Sequence, residues 1–244
     1  MIGLKEHERY RFDLDGFVVR RSVLGRRELA ALNRAVDDLR LPPPGDSIGS
    51  QRFNGHLAAA QVFRDLLDHE DLLGLLVDLC GPAVRLDHAY GLIMGPGTSG
   101  LGLHGGGTPH DPSQFYEVHD GRIFTGLVAV MWPLVDHEAG KGGFCCVPGS
   151  HRANFPLPAN IDRSWVQEVP LRAGDLMVFT EALTHGTSPW RSREQRRALF
   201  HKYAPGHLAW GPDYVELAAL APVLTERQRR LIQKPAIYSH QPVV

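Results

Sequence analysis

Apolar residues recur at helical spacing over the first eighty positions; from about Val84 they fall in short runs broken by glycine and proline. In RRELAALNRAVDDL, residues Leu29, Leu32, Val36 and Leu39 stand three or four apart, which predicts an amphipathic helix. LPPPGDS stops it, because proline cannot continue a helix. QVFRDLLDHEDLLGLLVDLCG predicts a second such helix closed by Gly81, and GFVV, Gly16 to Val19, a short strand before both. The later runs VRLDHAYGLIM, FTGLVAVMWPLV, FCCVPGSH, WVQEVPL, DLMVFT and RALFHKYAP predict short strands at regular spacing, an antiparallel sandwich or barrel. LTERQRRLIQ adds a last short helix with Thr225 as N-cap. The expectation is a mainly β, α+β chain with flanking helices. It reads as one domain over residues 1–244: helical support to 83, a β core over 84–215, a helix and tail over 216–244.

Composition narrows the function classes. Lysine and arginine number 26 against 27 acids, so charge draws the chain to neither nucleic acid nor membrane. Three cysteines, two of them adjacent at Cys145 and Cys146, do not make a disulfide framework, and no apolar run reaches membrane-helix length. With no secretory signal pattern in MIGLKEHERYRF, a reduced, cytoplasmic, soluble protein is expected. Thirteen histidines direct attention to metal chemistry, since imidazole is the commonest metal ligand.

Two of them stand where strands should end. His104 opens the glycine-rich turn LHGGGTPHD, and His185 follows the apolar run in LMVFTEALTHG. A rolled sheet brings distant strand ends together. Arg196 begins the strand RRALFHKY eleven residues after His185. Two imidazoles suit an open iron(II) site, and an inward arginine suits a carboxylate gripped by two parallel hydrogen bonds.

On these residues the chain resembles the phytanoyl-CoA dioxygenase family of iron(II)- and 2-oxoglutarate-dependent enzymes. The resemblance extends over most of the chain. It rests on DLDGFVVRRSVLGRRELAAL at the start, GGFCCVPGSHRANF in the middle, and LRAGDLMVFTEALTHGTSPW before the arginine. It implies a double-stranded β-helix of the jelly-roll, cupin-like kind. Implied too are Fe(II) on His104 and His185, 2-oxoglutarate on Arg196 rather than Arg197, Thr187 and Trp132 lining the co-substrate pocket, and O2 as oxidant.

One departure stands out. The family's proximal motif is His-x-Asp, whereas this chain reads His104-Gly105-Gly106. Its only literal His-x-Asp, His69-Glu70-Asp71, falls in the second predicted helix, where positions i and i+2 do not share a face. Three readings follow. In the leading one, Gly106 vacates a position for chloride, as in halogenases of this type, and the product is a radical C–H halogenation. In the second, a carboxylate arrives from elsewhere, Asp111 being nearest, and the enzyme is a hydroxylase. Asp-Pro-Ser is, however, a ready turn signature for Asp111. In the third, the chain is a non-catalytic binding module.

The leading reading implies a freestanding small polar substrate in secondary metabolism. The many arginines, Arg52, Arg64, Arg152, Arg191 and Arg193 among them, are compatible with a nucleotide or nucleoside. They are equally explained as solvated surface. His151 reads as part of a turn, His110 and His119 as undistinguished from surface residues, and one of Cys145 and Cys146 as a small core hydrophobe. No P-loop, dinucleotide fingerprint or serine-hydrolase elbow occurs.

Overall fold

The computed structural model describes residues 2–42, 50–211, 214–237 and 240–244. Twelve strands run in chain order: β1 (Phe17–Arg20), β2 (Gln51–Phe53), β3 (Arg85–Met94), β4 (Leu101–His104), β5 (Tyr116–His119), β6 (Arg122–Thr125), β7 (Val128–Pro133), β8 (Gly143–Cys146), β9 (Gln167–Glu168), β10 (Leu176–Thr180), β11 (His185–Ser188) and β12 (Arg196–Ala204). The helices are α1 (Glu6–Asp15), α2 (Arg26–Asp38), α3 (His56–Ala59), α4 (Gln61–Arg64), α5 (Glu70–Cys80), α6 (Tyr214–Ala219) and α7 (Glu226–Leu231).

Six strands in the order β1-β10-β7-β12-β3-β2 form a major sheet, and β4-β11-β8-β9 form a minor one, with all pairings antiparallel. Strand alternation then sorts the apolar residues into two cores. Ala129, Met131, Met177, Phe179, Ala198 and Phe200 of the major sheet meet Phe144 and Cys146 of the minor sheet. The opposite face of the major sheet, with Val128, Val130, Trp132, Val178, Leu199 and Tyr203, packs on the helices through Leu32, Val36, Leu72 and Leu76. This is the mainly antiparallel, helix-flanked β-helix that the strand pattern and the resemblance anticipate. Cys146 takes the core position expected of one cysteine of the pair. Among the described residues, no helix is long and apolar enough to cross a membrane.

The sequence expectations need three adjustments. α1 was not anticipated. The second helix breaks after Arg64 and restarts at Glu70, because the His69 ring caps the new start by accepting from the Asp71 amide at 3.3 Å. His69 thereby has a capping task and no metal one. β2 was not anticipated; with β1, the short strand expected at Gly16 to Val19, it completes the two edges of the major sheet. The expected stop at LPPPGDS lies, from residue 43 on, outside the described residues.

Thr225 caps α7 as expected, its hydroxyl accepting from the Gln228 amide while the Gln228 side chain returns to the Thr225 amide. Thr225→Ala is expected to cost about 1 kcal/mol in urea unfolding; an unchanged midpoint would show the cap to be idle.

Candidate active site between the two sheets

The site is assembled at the ends of β4, β11 and β12. β11 pairs with β4 so that His185 lies directly opposite His104, and their ring centroids stand 4.3 Å apart. The turn after His104 lets the chain come this close. Gly105 and Gly106 adopt φ +81 and +59, in the left-handed region. A Cβ on Gly105 would sit 2.7 Å from the carbonyl oxygens of both Glu181 and Leu183; one on Gly106 would sit 2.4 Å from Thr184 Oγ1.

Each histidine is oriented through its inner nitrogen. His104 Nδ1 lies 3.0 Å from the Gly102 carbonyl, and His185 Nδ1 lies 2.7 Å from that of Leu183. A carbonyl can only accept, so each Nδ1 carries the proton and each Nε2 presents a lone pair. Burial lowers the pKa of His185 to about 4 and keeps it neutral. Two neutral imidazoles with free Nε2 atoms are what a divalent metal requires of its nitrogen ligands.

Arg196 shares the inner face of β12 with Ala198, Phe200 and Lys202, and is wholly buried. Its guanidinium finds only sulfur: Nη1 lies 3.0 Å from Met94 Sδ and Nη2 3.6 Å from Met131 Sδ, while Nε has no partner. Burial pushes its pKa down to about 10, which still leaves it charged. His137 is also fully buried, with both ring nitrogens unpartnered. Its pKa is held well below the ordinary value by burial and then by the charge of Arg196. The combination is a buried, uncompensated cation with spare donors, suited to a carboxylate.

Not every expected residue reaches this pocket. Thr187, two residues after His185, shares its strand face. Trp132 does not arrive: it pairs with Leu199, packs edge-on against His69 at 5.6 Å, and faces the helices from the side of the sheet opposite Arg196. The expectation that it lines the co-substrate pocket is therefore corrected; the inner face at that step belongs to Met131. Arg197 points outward to Asn33 and Asp37. Asp111 is the turn residue its sequence suggests: Oδ1 accepts from the Ser113 amide and hydroxyl at 2.8 and 2.6 Å, and Oδ2 from Trp210 Nε1 at 2.7 Å. His151 hydrogen-bonds the Asp13 carbonyl and supports the N-terminal helix, as its turn reading implied.

Sequence reasoning missed Glu181, Lys202 and His137. Glu181 Oε1 stands 3.9 Å from His185 Nε2, and its carboxylate is hydrogen-bonded by the Lys202 ammonium. Burial alone would raise the Glu181 pKa, but Lys202 and His185 outweigh it and hold it near 2. Among the described residues, no three His, Cys, Asp or Glu side chains already form a ready-made metal cluster.

An aromatic shelf leads outward from the site. Phe200 stacks on Tyr90 at 5.1 Å, Tyr90 on His88 at 6.0 Å, and His88 on Trp210 at 5.2 Å. The Arg52 guanidinium covers the Tyr90 ring at 3.7 Å.

Comparison with known proteins identifies the fold and the family. HygX from Streptomyces hygroscopicus, solved with nickel and 2-oxoglutarate bound, is 29% identical and has a TM-score of 0.76, covering 85% of this chain and 89% of its own. The same protein with nickel, 2-oxoglutarate and hygromycin B bound aligns at 30% identity over 84% of this chain and 89% of its own, again with a TM-score of 0.76. The α-ketoglutarate-dependent epimerase SnoN from nogalamycin biosynthesis shares the fold at 22% identity and a TM-score of 0.64, over 83% of each chain. Dioxygenase lolE1 of Epichloe uncinata is 27% identical over 84 residues, 32% of this chain, and the match spans 33% of that relative's length. The family model for phytanoyl-CoA dioxygenase (PhyH) matches residues 12–198. With the sheets, the histidine pair and the buried arginine in place, the chain belongs to the phytanoyl-CoA dioxygenase family.

Proposed function

We propose that the protein is an iron(II)- and 2-oxoglutarate-dependent oxidoreductase acting on a small molecule. The observation that carries this reading is Arg196, a buried cation without an anionic partner, on the inner face of the major sheet that packs against the minor sheet bearing the two histidines. An uncompensated buried charge costs several kcal/mol, and a dianionic co-substrate removes that cost. HygX, with its bound 2-oxoglutarate and hygromycin B, supports both the co-substrate and a small-molecule substrate.

In this reading His104 and His185 hold iron through Nε2, and Arg196 grips the distal carboxylate of 2-oxoglutarate beside Thr187 and His137. When bound, iron and 2-oxoglutarate supply the oxidation of a substrate C–H bond by O2. Phe179, Met131, Met177 and Phe144 keep the chamber dry, so that the few polar contacts inside it act at full strength. The shelf from Phe200 to Trp210 offers flat apolar surface to an entering substrate, with Arg52 at its edge.

Of the two chemistries open to such a site, hydroxylation is the better supported. The carboxylate of Glu181 stands beside His185 Nε2, where it competes with chloride for a place next to the histidines. Gly106, moreover, is accounted for by the close approach of its turn to Thr184. Halogenation, with chloride in the place Gly106 leaves, is supported by the missing side chain at that position.

Anaerobic addition of Fe(II) and 2-oxoglutarate should produce a visible charge-transfer band, and His104→Ala should abolish it. No band in the wild type would leave a binding module. With O2 admitted, succinate formation should proceed equally with and without chloride; an absolute chloride requirement would turn the assignment to halogenation.

A further inference from the structure

We infer that Glu181 is the carboxylate metal ligand that the His104-Gly105-Gly106 turn lacks, with Lys202 holding it in place. This rests on the iron reading above and goes beyond it by naming the third protein ligand.

Placement comes first. Glu181 directly follows β10, and its backbone amide donates to the Leu127 carbonyl at 2.9 Å, which fixes the residue at the strand end. Four residues later the chain re-enters the sheets as His185. The side chain of Glu181 is 7% exposed and turns inward toward His185 and Lys202. Two atoms bound to one ion at about 2.1 Å each stand at most about 4.2 Å apart. The 3.9 Å between Glu181 Oε1 and His185 Nε2 is therefore within the span of a shared ion.

Competing carboxylates are occupied. Asp111 is used by Ser113 and Trp210. Asp175 is used by Arg21 and by the amides of Ser22 and Arg172.

Lys202 fits the role of a holder. It lies on the inner face of β12, two steps of the same face beyond Ala198, and is as buried as its partner. Both contacts fall on one oxygen, since Lys202 Nζ donates to the same Oε1 that stands 3.9 Å from His185 Nε2; an ion at Oε1 therefore requires the ammonium to pass to the carboxylate's second oxygen. A purely structural ion pair in this place would bury two charges where apolar side chains of similar size do as well or better. A metal facing the pair gives the buried charge a task.

The test is calorimetric titration with Co(II) alone on the wild type, Glu181→Gln, the double variant Glu181→Gln/Lys202→Met, and His104→Ala, with circular dichroism to verify folding. The double variant leaves no lone buried ammonium, so it remains informative if Glu181→Gln alone fails to fold. Loss of an outer hydrogen-bonding partner of a ligand costs roughly 10–100-fold in metal affinity. Loss of the ligand itself should exceed about 100-fold in both Glu181 variants and alter the visible d–d spectrum of the residual Co(II) complex. A smaller loss with an unchanged spectrum would overturn the proposal, reducing Glu181 to a positioning residue or less. If His104→Ala also binds Co(II) as the wild type does, the iron reading itself has failed; if it loses the metal while the Glu181 variants keep it, only this inference has.

Discussion

Arg196→Met is expected to abolish 2-oxoglutarate binding and at the same time to make the ligand-free protein more stable. Both halves follow from one observation: the guanidinium is fully buried and meets only the sulfurs of Met94 and Met131. Methionine in its place adds a third flexible thioether to two already there and removes an uncompensated charge. Exchanging buried charges for apolar side chains of similar volume commonly stabilises by about 1–4 kcal/mol. Binding moves the other way. Two charge-assisted hydrogen bonds at about 1.5–3 kcal/mol each are lost, more than about 100-fold in affinity. Thermal unfolding reads both at once. The variant should melt higher than the wild type without ligand and show no response to 2-oxoglutarate. The wild type gains about 2.7 kcal/mol when the ligand stands at 100 times its Kd. A variant that still responds to 2-oxoglutarate would remove Arg196 from the site.

Gly106→Asp, the substitution that rewrites the family's proximal motif, is expected to damage the turn without creating a ligand. The residue sits at φ +59, which costs a non-glycine residue roughly 1–2 kcal/mol. Its Cβ would also stand 2.4 Å from Thr184 Oγ1 and 3.0 Å from the Ala182 carbonyl. The added carboxylate thus starts from the backbone of residues 182–184, in the strand-to-strand loop. The combined cost should be at least about 2 kcal/mol in denaturant unfolding, with Co(II) affinity no better than wild type. Tighter metal binding in a stable Gly106→Asp protein would restore position 106 as the natural seat of the carboxylate.

Much of this architecture was legible in the chain, and the failures have physical causes. β1, β3, β7, β8, β9, β10 and β12 were visible because apolar runs stop at glycine and proline, whereas the short β2, β4, β5 and β11 carry no such run; His185 and Arg196 stood out at the end and start of runs, and His104 at a glycine-rich loop. Trp132 was misplaced because neighbouring strand residues point to opposite faces, and the series Val128, Val130, Trp132 is as apolar as Ala129, Met131. Nothing local says which series looks inward. Glu181 and Lys202 escaped notice because their partnership exists only through the sheet. The clue was there in both segments: a single charge inside VFTEALTH and another inside ALFHKYA, of opposite sign. Lys202 also shares the parity of Arg196, so identifying one inward residue identifies the other. The helix break at His69 was hidden by continuous leucine spacing, which runs unbroken through the cap.

The direct pairing of His104 with His185 has a consequence for the chain as a polymer. An ion held by both closes a loop of 81 residues that contains the β5–β6 hairpin, β7, β8, β9 and β10. Clips across long loops remove the most freedom from an unfolded chain. An ion in the proposed site would therefore double as a clasp, joining the first strand of the minor sheet to its neighbour β11 late in the sequence.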